Sequence, residues 1–556
     1  MSNAAIMFDR EAYDAAGLKR PMGRNSAGEG FLKGFLRHAD VERIYLWNTH
    51  SRPQEDLDAF VRALGPPTRP VTWIEAADRL GLADAGALYI PSPELQMEAW
   101  ARRAVGATAY SITGITHTIA ETYIMDQMAA LLTAPMEPWD ALVCTSTAAR
   151  GAVETQLQAV AEYLHDRFGV TRLPPAQLVT IPLGVHADAF AHDPAARKAW
   201  REALDVPEDA QIALFFGRFS VSTKMNPAPM GLALQEAAKR TGKPVYWVLF
   251  GGARRALDDA EFRASAAAFC PDVKLRFTGE LEPDQYGSIW SMADVFLSLS
   301  DNIQESFGLT LVEAMAAGLP CVVSDWDGYR DTIRHGVDGF RIRTTTPRPG
   351  LGADLAYRYA HGLSGYNAYA GAVAQFTAID VEAAAEALAA LFSDADLRQR
   401  MGRAARERAV GVYDWRVVIG QYQALWAELA RRRHAAPPQG PRSAGENPWR
   451  LDPFTMFAGY PTSALSHTDT ASLPRPFGEG ELTNLLARAS VRDGGARLPT
   501  LAEAHAVVHA LGIGGEIEVG ALVATFPPER RPFVERGLVW LAKFGLVKLS
   551  GTNPDA

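Results

Sequence analysis

A chain of 556 residues, 48% apolar and 21% charged, is long enough for several packed domains and too apolar to be disordered. Its net charge of −9 argues against nucleic acid or an anionic membrane as the main partner. The three distant cysteines, Cys144, Cys270 and Cys321, show neither disulfide nor metal spacing, and no apolar run approaches the roughly 18 residues of a span, so a cytoplasmic protein without a secretory signal is expected.

In chain order, short continuous apolar runs alternate with longer helical patterns. Strands are predicted over 5–9, 43–47, 71–75, 87–91, 107–112, 141–145 and 178–182, with a long helix over 148–168. The series then restarts, with strands over 212–217, 245–251, 274–279, 295–299, 321–324 and 340–342 and helices over 228–241, 260–269 and 382–391. Two such series predict an α/β protein of two doubly wound, Rossmann-like domains facing a cleft, with ligands at the carboxyl ends of the strands.

The expected division is 1–190, 191–413, a further helix over 414–433, a Pro/Gly/Ser-rich linker over 434–478 and a small module over 479–556. Asp414 is suited to cap the 414–433 helix, and the arginines at its end suit the negative pole of the helix dipole. The last module reads as mainly helical and winged-helix-like, closing on a helix followed by "GLVKLS". Its nine basic and nine acidic side chains from 471 onward lack the basic stripe that DNA binding requires, so a packing, dimerisation or partner-docking role is expected.

Four segments carry chemistry. In "FFGRFSVSTKMNP", Arg218 and Lys224 leave a strand's carboxyl end together, either as ordinary surface cations of a solvated loop or as a planar fork and a movable point charge suited to a diphosphate. "GRNSAGEGF" reads as a glycine loop ahead of a helix beginning near Gly30, where Gly28 and Gly30 let backbone N–H groups approach an anion. His117, in "SITGITHTIAET", stands just past a predicted strand, as a structural residue or as a hydrogen-bonding partner of a substrate.

The fourth segment is "DNIQESFGLTLVEAMAAGLP". A helix starting near Leu309 leaves the N–H groups of Gly308, Leu309 and Thr310 open to an anion. Glu305 beside such a site is best explained by sugar hydroxyls, which a carboxylate accepts from. Glu313 stays open between a capping box with Thr310 and a ligand contact. A glycosidase pair is disfavoured, because Glu305 precedes the helix and Glu313 lies more than one turn inside it, so that they reach different parts of one ligand more easily than opposite faces of one bond. "DWD" at 325–327 reads as a loop without a metal.

The Glu305-x7-Glu313 segment with "FGLT", preceded by "ADVFLSLS" and followed by "AMAAGLPCVVSD", resembles that of retaining family-4 glycosyltransferases of the GT-B fold. "FFGRFSVSTK", "HGVDGF", "YDW" and "VTIPLGVHADAF" are similar to further elements of that family, although Leu183 replaces its usual asparagine. The resemblance covers roughly 1–433 and leaves out the last module.

The resemblance implies metal-independent transfer of a sugar, with retention, from a nucleotide-sugar donor to an unknown hydroxyl acceptor, without a cofactor, in a setting such as bacterial surface polysaccharide synthesis. It implies that Arg218 and Lys224 hold the diphosphate with the backbone of Gly308, Leu309 and Thr310. Glu313 would hold the ribose, Glu305 the transferred sugar and His117 its reacting end. Gly28 and Gly30 would approach the phosphates from the other domain, and Gly279 and Leu281 would border the base. Membrane contact would be peripheral at most. A non-catalytic nucleotide-sugar-binding scaffold and a sugar-nucleotide epimerase remain as alternatives.

Overall fold

The computed structural model describes residues 3–15, 23–173, 177–253, 256–279, 281, 285–441 and 447–551. The chain divides into two compact units, residues 1–444 and 445–556.

The first unit holds two parallel sheets. One has seven strands: β1 Ala5–Phe8, β2 Ile44–Asn48, β3 Val71–Glu75, β4 Ala87–Ile90, β5 Ser111–Ile115, β6 Ala141–Cys144 and β7 Gln177–Thr180, in the order β3-β2-β1-β4-β5-β6-β7. The other has six: β8 Gln211–Phe216, β9 Val245–Phe250, β10 Lys274–Thr278, β11 Val295–Ser298, β12 Cys321–Ser324 and β13 Gly339–Ile342, in the order β10-β9-β8-β11-β12-β13. Helices cover both faces, so strands such as β4, β6, β9 and β11 are buried at every residue and read as uninterrupted apolar runs. In each sheet the strand order reverses direction once, between β1 and β4 and between β8 and β11. Loops leaving such neighbouring strands part to opposite sides and leave a crevice at their carboxyl ends.

Most predicted strands lie within a residue or two of their place. β5 does not: it spans 111–115, not 107–112. Ala107 and Tyr110 are buried, but Ala107 is buried under Trp139, whose indole donates to the Ala107 carbonyl (3.1 Å), not in a strand ladder.

The chain crosses between the two domains twice, and the crossings are bonded to each other. Val185 N–H donates to the Tyr413 carbonyl (2.8 Å), and Trp415 N–H donates to the Val185 carbonyl (3.0 Å). Asp414 caps the helix Trp415–Ala435, accepting from Arg416 N–H, as its residue type predicts. This helix returns to the first sheet's domain. Tyr422 meets Phe31 and Tyr89 edge-on at 5.2 and 5.6 Å between ring centres, and Trp426 donates to Thr113 Oγ1 (3.1 Å). The arginines at its end are not all solvated: Arg433 is buried and donates to the carbonyls of Gly86 and Ala109.

The reading of Gly28 and Gly30 as a phosphate-approaching loop is corrected here. Both lie inside a helix, Gly23–His38. A Cβ at Gly28 would stand 2.1 Å from the Ala12 carbonyl oxygen, and one at Gly30 would stand 2.8 Å from Trp415 Nε1. Gly34 and Gly184 close on the same indole, where a Cβ would come within 2.8 and 2.5 Å. Gly30 and Gly34 let this helix pack tightly against Trp415, and Gly28 lets it pack against Ala12, tertiary demands that override glycine's low helix propensity.

The second unit, described by itself, is a small α/β module. A three-stranded antiparallel sheet, in the order Ile517–Glu518, Thr470–Ser472, Lys548–Ser550, packs with the helices Glu479–Leu486, Leu501–Gly514, Val519–Ala524 and Arg531–Lys543. Its central strand, Thr470–Ser472, lies inside the segment expected to be linker, because three polar or small residues carry no strand signal of their own. Residues 442–446 of that expected linker lie outside the described residues. The helix-then-strand ending, Arg531–Lys543 followed by Lys548–Ser550, is the winged-helix-like feature. Among the described residues no helix is long and apolar enough to cross a membrane.

Gly30→Ala should lower stability by about 1–3 kcal/mol through overpacking against Trp415, measured by denaturant titration, with the affinity of the folded protein for nucleotide sugars unchanged. Weakened binding with stability intact would restore a phosphate-loop role.

Candidate active site

The crevice between β8 and β11 collects most of the residues singled out from sequence. β8 ends at Phe216, and Arg218 follows on a loop braced by its own hydroxyls. Ser220 Oγ lies 2.8 Å from Thr223 Oγ1, and Arg218 donates to Thr223 Oγ1 (3.3 Å) and to the Thr223 carbonyl (3.2 Å). The loop after β11 clasps it: Asn302 Nδ2 donates to the Ser222 carbonyl (2.9 Å). The Gln304 carboxamide, with its oxygen toward the guanidinium, accepts from Arg218 Nη2 (2.9 Å) and donates to the Thr223 carbonyl (3.0 Å).

Lys224 and Glu305 join these two loops as an ion pair, with side chains only 15% and 13% exposed. Burial works to raise the Glu305 pKa, but the Lys224 ammonium, the Arg218 charge and the Phe307 N–H outweigh it and hold the carboxyl below its usual range. Glu305 is therefore a carboxylate at neutral pH.

The helix Leu309–Ala316 starts directly after. Its N-cap is Gly308, left-handed at φ 93° and without a side-chain cap. A Cβ at Gly308 would stand 2.2 Å from the Tyr329 ring, so both the turn and the close approach require glycine. The capping box between Thr310 and Glu313 is absent. Glu313 is buried and accepts instead from the Tyr286 hydroxyl (2.7 Å). Burial pushes its pKa up to about 7, with the Tyr286 bond partly opposing. Tyr286 stands edge-on to Phe216 at 5.2 Å, at the carboxyl end of β8. Gly279 follows β10 at the same edge, with no atom of the described residues within 4 Å of where its Cβ would be, and Leu281 packs partly buried against the core.

The opposite wall comes from the first sheet's domain. His117 lies two residues past β5 and hydrogen-bonds the Pro91 carbonyl after β4. Burial, then the Arg24 charge, push its pKa down to about 4 against that bond, so the imidazole is neutral near pH 7.

Beside Glu305 the two domains touch. Thr145 Oγ1 donates to the Ser306 carbonyl (3.2 Å), Ser146 Oγ to Asp327 Oδ1 (3.0 Å) and Thr147 N–H to Asp331 Oδ2 (2.6 Å). Asp327, with φ 41°, has its pKa pushed up to about 8 by burial and by the Glu305 charge. The "DWD" aspartates thus diverge, since Asp325 lies 3.4 Å from the Arg341 guanidinium.

Sequence reasoning missed several residues that shape this crevice. Asp301, buried, accepts from Asn226 N–H (3.3 Å), and burial lifts its pKa to about 7. Asn302, Gln304 and Tyr286 carry no reading from sequence, and Asp327 enters there only as part of the "DWD" loop. The run "DNIQE", polar at four of its five positions and close behind the buried strand β11, was the available signal for Asp301, Asn302 and Gln304.

Comparison with known proteins agrees with this architecture. Residues 196–348 match the family model of glycosyl transferases group 1. A phosphatidyl-myo-inositol mannosyltransferase of Mycobacterium tuberculosis is 30% identical over 45% of this chain and 54% of its own length. A D-inositol 3-phosphate glycosyltransferase of Geodermatophilus obscurus is 28% identical over 49% of this chain and 58% of its own. The chain thus spans little more than half the length of the curated relatives it matches. Anabaena HepE, crystallised in complex with UDP, superposes with a TM-score of 0.50 at 14% identity over 77% of this chain and 100% of its own, a likeness of fold. The matched segment, 196–348, holds the whole second sheet and is similar to group 1 glycosyl transferases, and the two parallel sheets give the chain a GT-B fold.

Proposed function

We propose that this protein transfers a sugar from a nucleotide-sugar donor to an acceptor hydroxyl, with retention of anomeric configuration and without a metal. The observation that carries the reading is the Arg218–Lys224–Glu305 cluster at the point where the second sheet's strand order reverses. Two cations and the open N–H groups of a helix start are there set against one carboxylate, a combination suited to a diphosphate joined to a polyhydroxyl ring.

In this reading Arg218, Lys224 and the Gly308–Thr310 backbone bind the diphosphate and stabilise the charge that grows as it departs. Glu313 accepts from the ribose hydroxyls, and Glu305 from the transferred sugar. Neutral His117 hydrogen-bonds the sugar's reacting end. The bond from the anomeric carbon to the phosphate oxygen breaks as the acceptor oxygen bonds to the same face. The acceptor proton passes to the departing phosphate oxygen. The interdomain hydrogen bonds at 145–147 support water exclusion around that step. The names of the relatives make inositol-bearing acceptors, free or lipid-linked, the first to try.

The test is a panel of nucleotide sugars scored for binding and for release of the nucleoside diphosphate, with and without myo-inositol and its phosphates. Release with one donor is expected, and no binding of any nucleotide sugar would end the reading.

Lys224→Ala should lower kcat by about 100-fold, the scale of losing one charge-stabilising donor. Turnover near wild type would remove Lys224 from catalysis.

Glu313 supplies a pH signature. Its folded pKa, about 7, lies above the unfolded value of about 4.5. Its contribution to stability is therefore fully present below about 4.5 and lost as pH rises through about 7. A ribose diol requires the carboxylate, so donor affinity should fall as pH drops through 7, by up to about tenfold per unit. In Glu313→Gln this slope should vanish, read by calorimetric titration from pH 5.5 to 8.5. A slope that persists would place the titrating group elsewhere.

A further inference from the structure

Between Thr344–Thr345 (β14) and Ala378–Ile379 (β15), which pair antiparallel, the chain makes an excursion that returns to its starting point. Two helices, Ala353–Ala360 and Tyr366–Gln375, fill it as a hairpin. Tyr359 and Tyr369 lock the pair, their rings stacked at 4.3 Å and 7°.

The hairpin reaches both walls of the cleft. A Cβ at Gly371 would stand 3.1 Å from Ser222 Cβ, so its second helix lies directly on the Arg218–Lys224 loop. Tyr359 OH accepts from Thr122 N–H (3.1 Å), five residues past His117 and next to Glu121.

Tyr366 opens the second helix, and its hydroxyl is buried with no hydrogen-bond partner among the described residues. A buried hydroxyl left unpaired is unfavourable, and such groups are kept where a ligand completes them. Glu121 from one domain and Arg218 from the other both act electrostatically on this phenol, which places it between the two walls. Burial first, then Glu121 and Tyr359, raise its pKa above the ordinary value while Arg218 opposes, so it is a neutral O–H at every working pH. With a carboxylate and a guanidinium both in electrostatic reach, the unpaired O–H suits a neutral group that both donates and accepts, not an anion.

We propose that Tyr366 is a specificity-determining residue whose phenolic O–H pairs with a sugar hydroxyl in the cleft, carried there by a hairpin that forms part of the site wall. The inference rests on the glycosyl-transfer reading and extends it to a segment outside the strand-end loops. The sugar hydroxyl has two sources, the donor's transferred sugar or a sugar or cyclitol acceptor.

The test is Tyr366→Phe in the full chain, which keeps the ring and removes only the hydroxyl. In the donor arm, affinity for the nucleotide sugar is compared with that for the nucleoside diphosphate alone. In the acceptor arm, transfer to methyl glycosides and myo-inositol is compared with acceptor-free hydrolysis. A fall of about tenfold in one ratio, the scale of one lost hydrogen bond, is expected and names the source. Both ratios within about twofold of wild type would overturn the proposal. An equal loss of nucleoside diphosphate binding would overturn it too, since that marks a displaced loop. Failure of the transfer reading itself is separate, seen as a wild-type protein that binds no nucleotide sugar.

Discussion

The ion pair between Lys224 and Glu305 is the interaction on which the site depends. It ties the loop after β8 to the loop after β11 across the crevice. Removing two charges from water is costly, and each partner alone would be an uncompensated buried charge. Together they hold Lys224 at the crevice before any ligand arrives. Glu305's charge then propagates outward, since it helps keep Asp327 protonated near neutral pH, and Asp327 in turn meets Ser146 of the other domain. On the proposed reading, an anionic donor would compete with Glu305 for Lys224 and so would bear on the domain contact through the same carboxylate.

The fold prepares this pairing. Parallel strands with both faces covered can present side chains only at their ends, and the reversal between β8 and β11 parts the following loops. Gly308 allows the chain to turn from Glu305 into a helix while the Tyr329 ring occupies the place of a side chain. Tyr329 is itself held by Ser298 at the end of β11, with 2.9 Å between their oxygens.

Much of this was legible in sequence because the physical signal was local. Strands β8, β9 and β12 are apolar runs bounded by Gly, Pro or polar residues, and the helix Ala228–Thr241 falls where its pattern places it. Arg218, Lys224, Glu305 and Glu313 lie at the strand ends where their spacing around those strands puts them. What was missed depends on partners far away in the chain. Gly28 and Gly30 look like loop glycines until Ala12 is placed beside the first and Trp415 beside the second. Thr310 and Glu313 have capping-box spacing, but Gly308 sets the cap, whereas Thr500 and Glu503 form a real capping box that went unread. The hairpin carrying Tyr366 has few buried residues and so no strong core-facing stripe to read.

Trp415 and its helix bear on which parts of this chain can exist alone. By chain order the helix Trp415–Ala435 belongs after the second sheet, yet its aromatic face completes the first domain against Phe31, Phe35 and Tyr89. An N-terminal half ending near residue 190 would leave that face open to water, together with three glycine-lined approaches that only an indole fills. The two sheets are therefore separable as architecture but not as folding units, and any recombination of this domain with a foreign donor domain has to carry the final helix along with the first 190 residues.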